Sequence, residues 1–464
     1  MSQSTFEVPS AVTSSTDRTR QLLRRVFEIV RPFVPSSAVG VAETMVFATL
    51  LATVLIAGYV QGMATVVIGL PAVVSVGSIV LMQAVVPCLT LSGLFGSSVL
   101  TFFGQIAINA EDGLPDTGPT VTAVVPVHRD AGILHRSVES LLDSRYADLQ
   151  VLVVAEPDDH ESIARAQEYT DDDRVDLLVN TRYSGSKAGA INYAAEVTDT
   201  EYLAVFDADE RVDPRFVSAA VGRLTDSDIV QGRTVPEPTG VVETVAYYES
   251  VVLGDLSQRL LTLVTDFTTA ASRTVVMRRD AFETVGGYDP EMLTEDYAFA
   301  FACYEAGLNV TEQHTYSSTI EAAHTPTDWW GQRKRWMTGY VQVLHELVTD
   351  CRRPENYRSL VSPLVCAGSV VGNLFMLSLV SKAAVLVAEG GATWLALPLL
   401  TLVGAALVMR SFDAHSGRFD SVGVGWLAMP VILPLYSLVG IKAAVEYLLT
   451  WDGEWYSVAK GIGS

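Results

Sequence analysis

Tyr202-Leu203-Ala204-Val205-Phe206-Asp207-Ala208-Asp209 is an apolar run that stops at two carboxylates one residue apart. A short apolar run without polar alternation reads as a strand buried on both faces. The same pattern recurs upstream at Val121–Val127, Leu149–Val154 and Val175–Val179. Between these runs, Ile133–Leu142, Ser162–Glu168 and Ala188–Ala195 carry helical spacing. The alternation predicts an α/β domain built on a doubly wound, mostly parallel sheet. Ligands of such sheets sit beyond the carboxyl ends of the strands, where Asp207 and Asp209 stand.

Working outward, the domain is flanked by hydrophobic blocks. From Val41 to Phe103 the only charged residue is Glu43. That stretch is too long for one span of about 20 residues and fits two with a turn. It begins well inside the chain and lacks a small-residue cleavage site, so it does not read as a signal peptide. Apolar runs return at Leu360–Val387, Ala392–Val408 and Val422–Leu449. Arg18, Arg20, Arg24, Arg25 and Arg31 precede the first run, which predicts a cytoplasmic N-terminus. The expected order has six parts. A polar, basic cytoplasmic N-terminus spans 1–38 and two transmembrane helices span 39–104. The α/β domain follows at 105–337, and an amphipathic interface helix at 338–358. Three or four transmembrane helices fill 359–450, and 451–464 form a tail. Tyr340, Val341, Leu344, Leu347 and Val348 form one helical face, of the kind that lies on a bilayer. The reading is a multi-pass protein of the cell membrane with its α/β domain in the cytoplasm.

The net charge of −22 is concentrated in the soluble part, where residues 105–355 hold 43 acidic against 20 basic residues. Only five basic residues in the chain are lysine. An acidic, lysine-poor surface fits a protein from a salt-accumulating halophile, and it argues against nucleic acid as a partner. Cys88, Cys303, Cys351 and Cys366 lack metal-ligand spacing and read as free thiols.

Three motifs carry chemistry. Two carboxylates at Asp207 and Asp209 can hold a divalent cation, and the cation a diphosphate. Lys187, opening Lys-Ala-Gly-Ala-Ile-Asn, can neutralise a phosphate. Thr294-Glu295-Asp296 offers a separate carboxylate that can act as a base, and Gln332-Arg333-Lys334-Arg335-Trp336 can bind charge and stack on a ring. Metal, base and clamp beside membrane segments point to sugar transfer from a nucleotide at a bilayer surface.

These motifs, with Val125-Pro126 after the first strand and Val285-Gly286-Gly287-Tyr288 before Thr294, come in an order that resembles the family 2 glycosyltransferases of the GT-A fold. The membrane-integrated branch, which includes hyaluronan, chitin and cellulose synthases, is the nearest in kind. The resemblance covers about residues 120–340. It implies that Asp130 and Glu156 contact the nucleoside, although the family usually has Asp directly after the second strand. It implies that Lys187, Asp207 and Asp209 bind the nucleotide-sugar, with Asp209 and Asp207 on Mg²⁺ or Mn²⁺. Glu295 and Asp296 are then the catalytic pair, Asp296 being the general base. Gln332, Arg335 and Trp336 bind the diphosphate and acceptor.

The expected function is inverting transfer from a nucleotide-sugar, a UDP-sugar first, to a growing polysaccharide by a processive enzyme. Thr269-Ala270-Ala271-Ser272-Arg273 stands where polymer synthases commonly carry small Gly-rich residues near the acceptor. That departure leaves open a single transfer to a lipid-linked acceptor, such as a polyprenyl phosphate or glycolipid. A third reading, an inactive membrane scaffold, is opposed by the complete motif set.

Overall fold

The computed structural model describes residues 73–108, 114–350, 356–388 and 392–451, with isolated positions in 45–53 and 453–458. The N-terminus expected at 1–38 lies outside the described residues. So does nearly all of the first span expected within 39–104.

A long helix, α1 (Val73–Ile108), leads into the domain. Then β1 (Val121–Val127), α2 (Leu134–Leu142), β2 (Leu149–Ala155), α3 (His160–Gln167), β3 (Val175–Val179), α4 (Lys187–Val197) and β4 (Tyr202–Val205) alternate as expected. The four strands pair in parallel in the order β3-β2-β1-β4. Because side chains alternate across a strand, the two faces of the sheet feed two separate cores. Val124, Leu152, Val154, Leu203 and Val205 pack with Ala190, Ile191 and Ala194 of α4. Ala123, Val125, Val151, Val153 and Ala204 pack with Leu134, Val138 and Leu141 of α2. The expected α/β class and mostly parallel sheet are present.

Three further strands extend the sheet, and none has an apolar pattern that announces it. After α5 (Phe216–Arg223) comes β5 (Ile229–Pro236). The segment α6 (Val241–Glu249), a π-helical turn (Ser250–Leu256) and α7 (Ser257–Thr265) then precedes β6 (Val275–Arg278). β6 runs antiparallel between β4 and β5. After α8 (Arg279–Thr284) and α9 (Glu295–Ala306), β7 (Val310–Ile320) closes the edge parallel to β5.

A 25-residue helix, α10 (Pro326–Asp350), carries both the Gln332–Trp336 motif and the stretch expected as a separate interface helix. The boundary expected at 337/338 therefore falls inside one helix. Tyr340, Leu344 and Leu347 do not form a free bilayer face, because they pack on the domain core beside Val365 and Cys366. Val348 is exposed.

α11 (Tyr357–Ala388), α12 (Ala396–His415) and α13 (Met429–Thr450) cover the three later apolar runs. Among the described residues, Cys88–Ala107, Ala392–His415 and Gly425–Thr450 are long and apolar enough to cross a membrane. The joint to the catalytic domain is a third core, in which Phe102 of α1, Tyr247 and Tyr248 of α6, Met409 of α12 and Leu433 of α13 meet. Arg233 of β5 reaches into it and pairs with Asp255 at 2.5 Å and Asp413 at 3.0 Å, and Tyr247 Oη donates to Asp413 at 2.7 Å. A buried charge is tolerated only when paired in this way, so the network fixes how the sheet meets α12.

Candidate active site

The carboxyl end of β4 delivers the acidic loop. Phe206 N still donates to Val124 O at 3.0 Å, and the chain then leaves the sheet at Asp207. Lys187, at the first position of α4, forms an ion pair with Asp207. Ser186 caps that helix by accepting from Gly189 N, which holds Lys187 at the mouth of the loop. Asp209 is nearly buried, at 2% exposure. Glu210 folds the loop back on itself: Asp207 N donates to Oε1 at 2.8 Å, and Thr274 Oγ1 donates to Oε2 at 2.5 Å. Burial, then the charge on Asp207, push its carboxyl up to about 7.

The second acidic motif starts α9. Tyr297 N donates to Asp296 Oδ1 at 2.8 Å, and the helix N-terminus favours a carboxylate there. Glu295 accepts from Ser272 Oγ at 2.9 Å; burial, then the neighbouring Asp296 charge, raise its carboxyl above the usual range. α10 crosses close to this turn because Gly339 faces Thr294. A β-carbon at Gly339 would fall 2.5 Å from the threonine side chain.

On α10, Trp336 stacks against Arg333, whose guanidinium lies 4.6 Å from the ring centre. Arg335 lies 4.1 Å from the ring centre of Trp455. Burial holds the Arg335 guanidinium below its usual range, against the pull of Glu295, Asp296 and Asp207. The charge on Arg335 thus faces both acidic motifs.

The expected site residues therefore fall into a group and two others. Lys187, Asp207, Asp209, Glu295, Asp296, Gln332, Arg335 and Trp336 come from α4, β4, α9 and α10 to one end of the sheet. Asp130 stands after β1, where its carbonyl accepts from Ile133 N and Leu134 N at the start of α2. Glu156 is 7% exposed, and both its oxygens are engaged. Asn180 Nδ2 and Gly185 N each donate to it at 2.8 Å, so it shapes the loop leading to Lys187.

A cavity of about 690 Å³ opens beside this group. Arg273, Asp296, Gln332, Trp336 and Tyr340 line it together with Leu91, Leu94 and Phe95 of α1 and Gly368 and Gly372 of α11.

Residues 119–339 match the family model described as glycosyltransferase like family 2. Over those residues the chain carries a domain of that family. Among curated relatives, the poly-beta-1,6-N-acetyl-D-glucosamine synthase of Staphylococcus aureus is 22% identical over 236 residues, 48% of this chain and 55% of that protein. The cellulose synthase 1 catalytic subunit (UDP-forming) of Komagataeibacter xylinus is 25% identical over 240 residues, 49% of this chain and 32% of that protein. The chain thus spans about half the length of the first relative and about a third of the second. Among solved structures, a mannosyltransferase from Pyrobaculum calidifontis in complex with GDP-Man and Mn²⁺ superposes with a TM-score of 0.47 at 17% identity. That match covers 80% of this chain and all of the other.

The glycosyltransferase domain also uses residues that sequence reasoning passed over. Arg333, inside the quoted motif, is 2% exposed. Its Nε donates to both oxygens of Glu249 at 3.0 Å, and Trp329 Nε1 donates to Glu249 at 2.8 Å. This ties α10 to α6, so Trp329 is a core anchor. Tyr456, from the tail, donates to Asp328 at 2.9 Å and packs where a β-carbon on Gly331 would lie. Tyr456 and Trp455 carry no motif pattern. Glu210 was legible in principle, as the third acid of Asp207-Ala208-Asp209-Glu210.

Proposed function

We propose that this chain transfers a sugar from a nucleoside-diphosphate sugar, a UDP-sugar first, to a growing saccharide at the membrane surface with inversion. The observation that carries the reading is the meeting of Lys187, Asp207, Asp209, Asp296 and Arg335 at one end of the sheet, beside a cavity reaching membrane-length helices. The UDP-forming relative supports a UDP-sugar.

In this reading Lys187 and Arg335 hold the diphosphate and stabilise the charge it gains on leaving. Asp296 takes the proton from the acceptor hydroxyl, whose oxygen attacks the anomeric carbon opposite the departing diphosphate. Trp336 gives the acceptor ring an aromatic face. Among the described residues no cluster of three or more His, Cys, Asp or Glu is placed to hold a metal. Two carboxylates, Asp207 and Asp209, still fit Mg²⁺ or Mn²⁺, because such ions keep positions for water and substrate phosphate. The cation would supply further neutralisation of the leaving diphosphate.

The catalytic domain would face the cytoplasm, with the chain multi-pass in the cell membrane. A second reading, a single transfer to a lipid-linked acceptor, is favoured by the apolar cavity wall at Leu91, Leu94 and Phe95. Purified chain in lipid, given labelled nucleotide-sugars with Mn²⁺ or Mg²⁺, separates the two by product size. A high-molecular-weight smear supports polymer synthesis, and one discrete lipid-extractable product supports single transfer. Chelation should abolish either product and readdition of the cation restore it; full activity in chelator would remove the metal from the reading.

A further inference from the structure

Arg273 is the unusual residue of this site. It belongs to Thr269–Thr274, a segment pinned on three sides. Gln231 of β5 donates through Nε2 to Arg273 O at 3.0 Å and accepts from Ala271 N at 2.6 Å. Ser272 bonds Glu295 of the base motif, and Thr274 bonds Glu210 of the Asp207–Asp209 loop. Thr274 holds a φ of 43°, a left-handed conformation that a β-branched residue adopts only where the surroundings over-determine it. The segment is thus a rigid bridge between the two acidic motifs, and it presents one long cation into the space between them.

The guanidinium of Arg273 makes no hydrogen bond or ion pair among the described residues; it lies over the ring of Trp336, 5.9 Å from the ring centre. The charges acting on it are, in order, Asp207, Asp296, Glu210 and Asp209. Because Ser272 before it bonds Glu295 and Thr274 after it bonds Glu210, it stands between the loop assigned to the donor diphosphate and the base. Its cavity discriminates further. Arg273 lines it with Asp296, Gln332 and Trp336, whereas Lys187, Asp207 and Asp209 do not. The side of the site that Arg273 serves is the acceptor side.

We propose that Arg273 is a specificity-determining residue that binds an anionic group, a phosphate or a carboxylate, carried by the acceptor beside the hydroxyl that Asp296 deprotonates. The proposal rests on the glycosyltransferase reading above and deepens it by naming the acceptor class. A neutral sugar acceptor gains only ordinary hydrogen bonds from its hydroxyls to this guanidinium. An anion bonded to it gains a charge-assisted, two-pronged contact, and it offsets the cation that would otherwise weaken Asp296 as a base. Two sources of the anion fit the cavity: a lipid phosphate with its tail along Leu91, Leu94 and Phe95, or the carboxylate of an acidic sugar at a glycan end.

The test compares matched probes on the full chain in lipid, with UDP and Mn²⁺ present. Farnesyl phosphate is set against farnesol, and a glucuronate-ended oligosaccharide against its glucose-ended counterpart. Binding is read by calorimetry, so the outcome does not depend on turnover. One anionic probe should bind about ten- to a hundredfold more tightly than its neutral partner. Which pair shows the preference identifies the source. Arg273→Gln should erase that preference and Arg273→Lys recover part of it, with UDP affinity changed less than about twofold in both. UDP binding also reports that the variants are folded. Equal affinity for anionic and neutral probes in the wild type overturns the proposal. So does an Arg273→Gln variant that keeps the preference, or one that loses UDP affinity instead, since the arginine would then serve the donor. Failure of the glycosyltransferase reading looks different: no UDP binding and no nucleotide release from any donor.

Discussion

Asp296 and Glu295 are adjacent carboxylates with unlike surroundings. Asp296 lies at the start of α9 on the cavity, while Glu295 is buried against Ser272. Asp296→Asn should lower turnover about 10²- to 10⁴-fold, the range for a lost general base, with UDP affinity retained. Unchanged turnover would remove Asp296 from that role. For Glu295 the prediction concerns stability. Its carboxyl is raised, chiefly by burial, so the folded protein holds a proton there that the unfolded chain releases. The stability it contributes is therefore complete below the ordinary Glu value and is lost as pH rises through the raised one. Glu295→Gln, which keeps the oxygen that accepts from Ser272, should flatten the fall in melting temperature as pH rises above the ordinary Glu value of about 4.3. Parallel curves for variant and wild type would contradict this. At this scale the sequence made legible which side chains gather, where chemistry and spacing coincide: Asp207, Asp209, Asp296, Arg335 and Trp336 come to one end of the sheet. Glu156, expected at the nucleoside, holds the loop to Lys187 through Asn180 and Gly185, a use that a carboxylate after a strand serves as readily as a ligand contact. Arg273 was visible only as an oddity, since its meaning depends on Asp207 and Asp296, far away in the chain.

At the scale of elements, β1, β2 and β4 could be read because their faces are largely buried, which favours apolar runs; β3, at the sheet edge, shows the pattern more weakly, with Asp176 exposed. β5 and β7 hid because their side chains perform polar tasks: Gln231 anchors the Arg273 segment, and Arg233 reaches Asp413. α10 was divided in the sequence reading because its motif half and its amphipathic half have different patterns. The unbroken helix makes the site rigid, since the residues of the Gln332–Trp336 motif share a scaffold with Gly339, Tyr340 and Leu344, which pack on the domain. Its tie to α6 is the buried Arg333–Glu249 pair. Glu249→Ala would leave Arg333 buried without its partner, at a cost of about 3–5 kcal/mol. A drop in melting temperature of several degrees, together with loss of activity, is expected in lipid or detergent. A variant as stable as the wild type would show that α10 is held by its apolar contacts alone.

On the scale of the whole molecule, the charge and the apolar surface are divided between the two parts of the chain. Residues 105–355 carry 43 acids against 20 bases, and the long apolar helices flank them. Within the catalytic domain, the cations at Lys187, Arg233, Arg259 and Arg333 are already held in ion pairs. Much of the excess acid, such as Asp158, is left facing solvent. Those carboxylates repel one another over distances that salt screens: the Debye length is about 10 Å at 0.1 M and about 3 Å at 1 M. Because self-repulsion opposes the compact state, screening should stabilise this domain more than one of balanced charge. The melting temperature should rise steadily between about 0.1 and 2 M KCl, most steeply at the low end where the Debye length changes fastest. The buried pairs at Arg233 and Arg333, shielded from bulk ions, should contribute little to that slope. Replacing exposed acids such as Asp171 and Asp173 with lysine or glutamine should therefore reduce the salt dependence, whereas Arg333→Met should lower stability without changing the slope. A melting temperature indifferent to KCl would mean that the acidic surface is already neutralised by local pairing and that its excess is not an adaptation to salt.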